Sequence, residues 1–163
     1  MTKSDKSKHN ICVASIKRST MKPYEFKWTK FYDSNSALQE VYPELQLDLA
    51  ENELVICSTI IDIDNYSILT TQRLITKEKG IENIGNLNGA TDKLYGDFKG
   101  HKGDAFTFGL VQLISGVDMK YFVEIGKASM IMIYGVRTLI GTQQMSNPQV
   151  DKVSRIWDER NKS

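Results

Sequence analysis

The sequence predicts an α+β domain in which antiparallel strands form a rolled or split β-sheet with a helix over one end. Three observations carry this prediction. A run of β-branched residues from Glu53 to Thr76 is interrupted by a turn at Asp64 and Asn65, which is typical of a β-hairpin. After Gly126 the apolar residues change to helical spacing. The turns between successive strands are too short for crossover helices, so the sheet should be antiparallel.

Length and composition limit the class of protein. The chain has 163 residues, enough to bury a core without disulfides or metals, and we interpret it as one domain. It carries 21 basic and 20 acidic residues, a balance that argues against a dedicated nucleic-acid binder, so no nucleic acid is expected as a partner. Cys12 and Cys57 lie in apolar stretches and are predicted to be buried, reduced thiols.

The N-terminal third predicts a tail, a strand and a helix. Residues 1–10 are polar and rich in lysine, so we expect a disordered tail that is not a secretory signal. We also expect no membrane-spanning segment in the rest of the sequence. Aromatic and charged residues alternate from Tyr24 to Tyr32, which predicts a half-buried strand. A short helix should then run from Ser36 to about Tyr42, because the residue before Pro43 is disfavoured in a helix. This strand and helix form an N-terminal extension of the sheet.

The remaining elements follow from turns and periodicity. Glycine and asparagine punctuate residues 80–103, which predicts short strands there. Residues 105–114 and 119–125 predict a second hairpin, and the helix after Gly126 should cover one open end of the curled sheet. We place the domain at residues 11–145. A stripe of apolar residues from Val150 to Asn161 predicts an amphipathic helix within residues 146–163.

At these residues the chain resembles the bacterial pleckstrin-homology-like group, which includes the GRAM domains. The likeness lies in Glu53 before the first strand, the phrase L-T-T-Q-R-L-I-T that contains Arg73, and a last strand that ends at Gly126 before an apolar helix. It covers about Glu53 to Gln144. The resemblance implies a small β-barrel plugged by its terminal helix, and a place in the bacterial cytoplasm. Such domains bind lipids, dock on proteins or serve structural roles, so the fold does not determine the function.

Four residues are candidate ligands for an anion. Arg73 lies in an otherwise apolar run and is either an anion ligand at the mouth of the barrel or a strand residue whose stem covers apolar surface. Lys99, His101 and Lys102 lie in a glycine-containing turn whose backbone amides could help to hold a phosphate, as in a phosphoinositide-type lipid headgroup. The alternative is a solvated hairpin turn, since acidic residues flank these cations.

Catalytic and metal sites are not predicted. Asp62 and Asp64 offer two carboxylates at alternate positions, but a calcium ion needs six to eight oxygen ligands, so a turn is the simpler interpretation. A small metal-dependent hydrolase that uses these two residues with His101 is kept as an alternative function. No catalytic residue, metal or cofactor is assigned, and we expect a protein that is not an enzyme.

The function we predict is a protein-interaction module. Ile156 and Trp157 lie on the apolar side of the predicted C-terminal helix, and Trp28 lies on the predicted first strand. An amphipathic helix and an unpaired strand edge are common docking elements. The expected partner is therefore another protein, with an anionic lipid headgroup as the alternative.

Overall fold

The computed structural model describes residues 4–142, and these residues form three helices and eight strands. The helices are α1 (Asp5–Ser19), α2 (Asn35–Val41) and α3 (Ser129–Thr142), with a single 3-10 turn at Gly126–Ala128 before α3. The strands are β1 (Thr29–Phe31), β2 (Val55–Asp62), β3 (Asn65–Thr70), β4 (Leu74–Glu78), β5 (Ile81–Gly85), β6 (Thr91–Leu94), β7 (Phe106–Gln112) and β8 (Asp118–Glu124). The helix predicted within residues 146–163 lies outside the described residues.

The strands form two antiparallel sheets in the order of the sequence. The first sheet has the order β1-β2-β3-β4-β5, and the second has the order β6-β7-β8. Every pairing is antiparallel and joins neighbours along the chain. The predicted α+β class, the antiparallel meander and the split sheet are therefore confirmed. The two sheets are separate hydrogen-bonded ladders, and their pairing does not show a closed barrel.

Helix α1 includes residues 5–10, which were predicted to belong to a disordered tail. The Ser4 side chain caps the helix by accepting a 3.0 Å hydrogen bond from the backbone N–H of Ser7, and Asp5 lies in the first turn, where a negative charge is favourable. Further along, Cys12 and Ile16 are fully buried. This apolar segment anchors the helix on the core, and the cap extends the helix back through the polar residues.

Two strands are shorter than the sequence predicts. Of the segment from Tyr24 to Tyr32, only β1 is a strand. The run after Asn65 is divided into β3 and β4, because the Thr70 hydroxyl accepts hydrogen bonds from the backbone N–H groups of Gln72 (3.1 Å) and Arg73 (3.0 Å). A threonine that bonds to the amides after it competes with strand pairing and makes a turn. The predicted short helix is present as α2 and ends before Tyr42.

Helix α3 buries eight of its fourteen residues; five more are partly buried and Arg137 is exposed. Ile131, Met132 and Val136 belong to the main core cluster, together with residues from α1 and both sheets. A helix with a wide apolar stripe packs that stripe into the protein interior. The close approach is made at Gly135, where an added Cβ would lie 2.8 Å from the Cys57 Sγ and 3.2 Å from the Leu69 Cδ2.

The other face of the five-stranded sheet has its own core. Ile60, Ile68 and Ile75 from β2, β3 and β4 pack with Leu38 of α2 and Leu45 of the loop that follows it. Alternate residues of the same strands therefore face the main core and this second cluster, as the two-residue period of a strand requires.

Cys12 and Cys57, which were predicted to be reduced thiols, are both buried and form no disulfide with each other.

Polar side chains join the two sheets. The backbone N–H of Phe122 in β8 donates a 2.8 Å hydrogen bond to the Ser67 Oγ in β3. The Glu124 carboxylate accepts hydrogen bonds from the backbone N–H of Trp28 (2.8 Å) and the Thr29 hydroxyl (2.9 Å). Backbone N–H groups at the edges of the two sheets therefore bind side chains of the opposite sheet. These hydrogen bonds satisfy donors that burial would otherwise leave unpaired.

A second close approach lies within the three-stranded sheet. Gly109 in β7 pairs with Tyr121 in β8, and the Tyr121 ring lies directly over the glycine, where any added Cβ would overlap its Cζ atom. Tyr121 is fully buried. A large aromatic ring occupies the space that a side chain at position 109 would need.

The packing of α3 makes a prediction about two of its glycines. Gly135→Val places two methyl groups against Cys57 and Leu69, and overpacking of this kind costs about 1–3 kcal/mol. Among residues 4–142, nothing outside the helix lies within 4 Å of a Cβ added at Gly141, so Gly141→Ala should raise stability by about 0.5–1 kcal/mol through helix propensity. Urea denaturation followed by circular dichroism measures both. Equal denaturation midpoints for Gly135→Val and the wild type would contradict the packing of α3 on β2.

Candidate functional site

Arg73 pairs with a buried carboxylate inside the molecule. Its Nε lies 2.9 Å from the Glu53 Oε2, and the Glu53 side chain is almost completely buried. The same carboxylate accepts hydrogen bonds from the Thr70 hydroxyl and from the backbone N–H of Ala50. The Arg73 Nη2 also donates to the Asp48 carbonyl at 2.7 Å. Arg73 thus ties the turn after β3 to the loop before β2.

The electrostatics of this cluster favour a charged Glu53. Burial by itself would raise the pKa of the carboxyl, but the hydrogen bonds from Thr70, Ala50 and Arg73 and the charge of Arg73 together hold its pKa below the usual 4.5. The phrase that resembles the pleckstrin-homology-like group therefore has a structural part in this chain. Neither interpretation of Arg73 predicted this pair: the guanidinium has an anionic partner inside the protein, and the residue lies in the turn before β4 and not in a strand.

The basic turn at Lys99, His101 and Lys102 already holds an anion of the protein itself. The backbone N–H groups of His101 and Lys102 donate to the Asp97 carboxylate at 3.2 and 2.7 Å. The Lys99 ammonium lies 5.9 Å from the centre of the Phe98 ring. These are the amides that a phosphate would use, so a phosphate would have to displace Asp97. The structure does not bring Arg73 to this turn.

The acidic pair at the β2–β3 turn shapes the turn. The Asp62 carboxylate accepts hydrogen bonds from the Asp64 backbone N–H (2.8 Å) and from the Asn65 side-chain amide (3.0 Å). Within residues 4–142, no group of three or more His, Cys, Asp or Glu residues is placed to hold a metal ion. The geometry thus does not assemble the hydrolase site imagined from Asp62, Asp64 and His101.

Of the three predicted docking residues, the structure describes Trp28. Trp28 precedes β1 and is partly buried; its ring lies edge-on to Phe106 at 6.2 Å, and the Lys27 ammonium lies 4.7 Å from the ring centre. The tryptophan therefore covers the joint between the two sheets. Ile156 and Trp157 lie outside the described residues.

The most exposed apolar surface of the described chain was not predicted from the sequence. It lies on β5, at the edge of the five-stranded sheet, where Ile81 is 69% and Ile84 51% exposed. On the tip of the β7–β8 hairpin, Ile114 and Val117 are 79% and 59% exposed. We call these four residues the apolar rim. The strand itself was predicted from I-E-N-I, but the same letters fit a buried strand, and only the sheet order shows that it is an edge.

A cleft of about 220 Å³ opens beside the apolar rim, between β4 and β5 on one side and the β7–β8 hairpin on the other. Ile84, Leu113, Val117 and Met119 give it an apolar floor. Lys120 and Glu78 also line the cleft, and they form an ion pair in which the ammonium lies 3.0 Å from the carboxylate. A cleft of this size accepts one apolar side chain, and the paired charge at its wall needs no partner from outside.

Compared with protein-family models, with curated proteins and with solved structures, the chain shows no significant match. The resemblance to the pleckstrin-homology-like group therefore stays a prediction. Within the described residues, no helix has both the length and the apolar character needed to cross a bilayer.

The Glu53 cluster predicts a specific pH dependence of stability. Because the folded pKa of Glu53 lies below its unfolded value, its contribution is complete above about pH 4.5 and is lost as the pH falls through the folded pKa. Urea unfolding between pH 7 and pH 3 should show a steeper acid loss for the wild type than for Glu53→Gln. Parallel curves for the two proteins would contradict the lowered pKa.

Removing the partner of Glu53 should be costly at neutral pH. Arg73→Leu leaves a buried carboxylate without its cation, which costs about 3 kcal/mol. The matched control is Lys93→Leu, because the Lys93–Asp118 pair (3.4 Å) is exposed on both sides and such pairs contribute about 0–1 kcal/mol. The free energy of unfolding at pH 7 measures both changes, and similar losses for the two variants would refute the structural part assigned to Arg73.

Proposed function

We propose that this protein is a non-enzymatic protein-interaction module, which binds an extended segment of a partner protein along the free edge of β5. The single observation that carries the proposal is an unguarded apolar sheet edge beside a cleft. β5 pairs with β4 on one side, and no described strand pairs with its other side. The first four of its five residues are exposed.

Natural proteins usually protect such an edge with charges, prolines or bulges, because its unpaired backbone groups accept another strand. β5 has a regular register with β4 and contains no proline. Its one charged residue, Glu82, is turned toward the sheet, since the Tyr66 hydroxyl donates to the Glu82 Oε2 at 3.3 Å. The edge is therefore left open to pairing.

The chemistry of the surface selects a strand as the partner. Added strands gain affinity from main-chain hydrogen bonds and specificity from pockets that receive alternate side chains. The 220 Å³ cleft lies next to Asn83 and Ile84 and is apolar at its floor, so it suits an aliphatic side chain of the added strand. The apolar rim then covers the neighbouring positions.

Selection of random linear peptides on the immobilised protein tests this proposal. We expect enriched peptides with alternating aliphatic residues, whose binding is weakened at least about tenfold by the double variant Ile81→Lys, Ile84→Lys. The matched control is Leu94→Lys, which adds a charge at an equally exposed apolar residue on β6, in the other sheet. This control should change affinity less than about twofold.

Hydrogen exchange locates the bound peptide independently of the variants. Bound peptide should slow exchange of the backbone amides of residues 81–85, because an added strand gives them new acceptors. Equal binding by the wild type and the double lysine variant, or protection confined to other residues, would refute the proposal. Concentration-dependent self-association lost in the double variant would identify a second copy as the partner instead.

A further inference from the structure

A second surface, on α1, lies outside the proposed β5 site. A cleft of about 520 Å³ runs between this helix and the chain around Asp33 and Leu54. Lys6, Val13 and Lys17 line it, and their spacing of seven and four residues places them on one face of the helix. The Lys17 ammonium lies 5.9 Å from the Phe31 ring, at the end of the cleft nearest β1.

Charge is segregated along the chain in a way that the overall balance conceals. Residues 1–30 contain eight lysines and arginines and two acidic residues. Residues 31–163 contain thirteen lysines and arginines and eighteen acidic residues. Helix α1 carries Lys6, Lys8, Lys17 and Arg18 against a single acidic residue, Asp5. The helix that forms one side of the cleft thus has a net charge of +3, from four basic residues and one acidic residue, which favours an acidic occupant.

The two lysines of the cleft are too far apart for one small anion. Lys6 and Lys17 are eleven positions apart on the helix, a rise of about 16 Å. In an extended peptide, residues two and four positions apart lie on the same side and are separated by about 7 and 13 Å. Two acidic residues of the peptide, four positions apart, would thus reach Lys6 and Lys17, because the lysine stems are flexible. The middle residue of the peptide would then lie above Val13 and Leu54.

His9 supplies an acceptor that suits a peptide backbone. Its Nε2 lies 2.9 Å from the Tyr32 carbonyl oxygen and 3.1 Å from that of Val55, so this nitrogen carries the hydrogen. Burial lowers the pKa of the imidazole below its usual 6.5, which keeps the ring neutral at pH 7. The Nδ1 of this tautomer then has a lone pair and can accept a hydrogen bond.

From these features we infer that the α1 cleft binds an extended acidic segment of a partner protein, with two carboxylates on Lys6 and Lys17 and an aliphatic side chain between them. The Asp33 carboxylate, on the wall of the cleft, is a second acceptor for a peptide N–H and disfavours a bare anion in the middle. The site does not depend on the β5 edge, and either could exist without the other.

Fluorescence anisotropy with a labelled peptide that contains Glu-Ser-Val-Ser-Glu tests the inference. We expect binding that weakens as salt is raised, and that is absent for the matched Gln-Ser-Val-Ser-Gln peptide. The double variant Lys6→Glu, Lys17→Glu should weaken binding at least about tenfold. The control Lys8→Glu, Lys22→Glu makes the same change in net charge outside the cleft and should weaken it less than about threefold.

A measurement on the wild-type protein makes the result independent of how the variants fold. The chain has two histidines, so NMR can follow His9 in the cleft against His101 in an exposed turn. Bound peptide should shift the ring nitrogen resonances of His9 and leave those of His101 unchanged. The Ile81→Lys, Ile84→Lys variant should bind this peptide as the wild type does, which separates this site from the β5 edge.

Four outcomes would overturn the inference. They are no binding of the acidic peptide at millimolar concentration, equal loss in the two double variants, shifts at His101 without shifts at His9, and displacement of the peptide by vesicles rich in phosphatidylserine. The last would indicate a membrane surface instead of a peptide as the occupant.

Discussion

The architecture depends on the burial of a single helix, α3, between α1 and the two sheets. Eight of its fourteen residues are buried and five are partly buried, so most of its surface is removed from water against neighbours far apart in sequence. The two sheets share no ladder, and α3 contributes side chains to the core that they enclose. The sheets also contact each other directly, through the hydrogen bonds of Ser67 and Glu124, the Lys120–Glu78 ion pair and the packing of Gly85 against Met119, and α3 adds to these contacts.

Much of this fold was predictable from local patterns. Helix α3, the β7–β8 hairpin and the order of the strands follow from periodicity and short turns, which the chain expresses over neighbouring residues. Helix α1 was missed because its first six residues are polar, and its stability comes from α3, more than a hundred residues away. The break between β3 and β4 was missed because the Thr70 hydroxyl, and not a glycine or proline, makes the turn.

The candidate sites were less predictable than the fold, for a physical reason. Whether Ile81 and Ile84 are buried depends on which strand, if any, lies beside β5, and a strand pattern does not contain that information. The cations of the α1 cleft were overlooked because the charge balance was taken over the whole chain. Counting charges by segment would have found the positive N-terminal region. The partner of Arg73, Glu53, is twenty residues away and only folding brings it close. The partner of the turn around His101 is Asp97, four residues away, which the flanking acidic residues of the sequence already suggested.

The contact between Tyr121 and Gly109 limits how this protein can diverge. Because the ring occupies the space above the strand, a side chain at position 109 is tolerated only if the aromatic group opposite shrinks at the same time. The two positions should therefore change together in related chains. Such a coupled pair, a glycine on one strand with a tyrosine directly across from it, is a marker by which distant homologues could be recognised after most other identities have been lost.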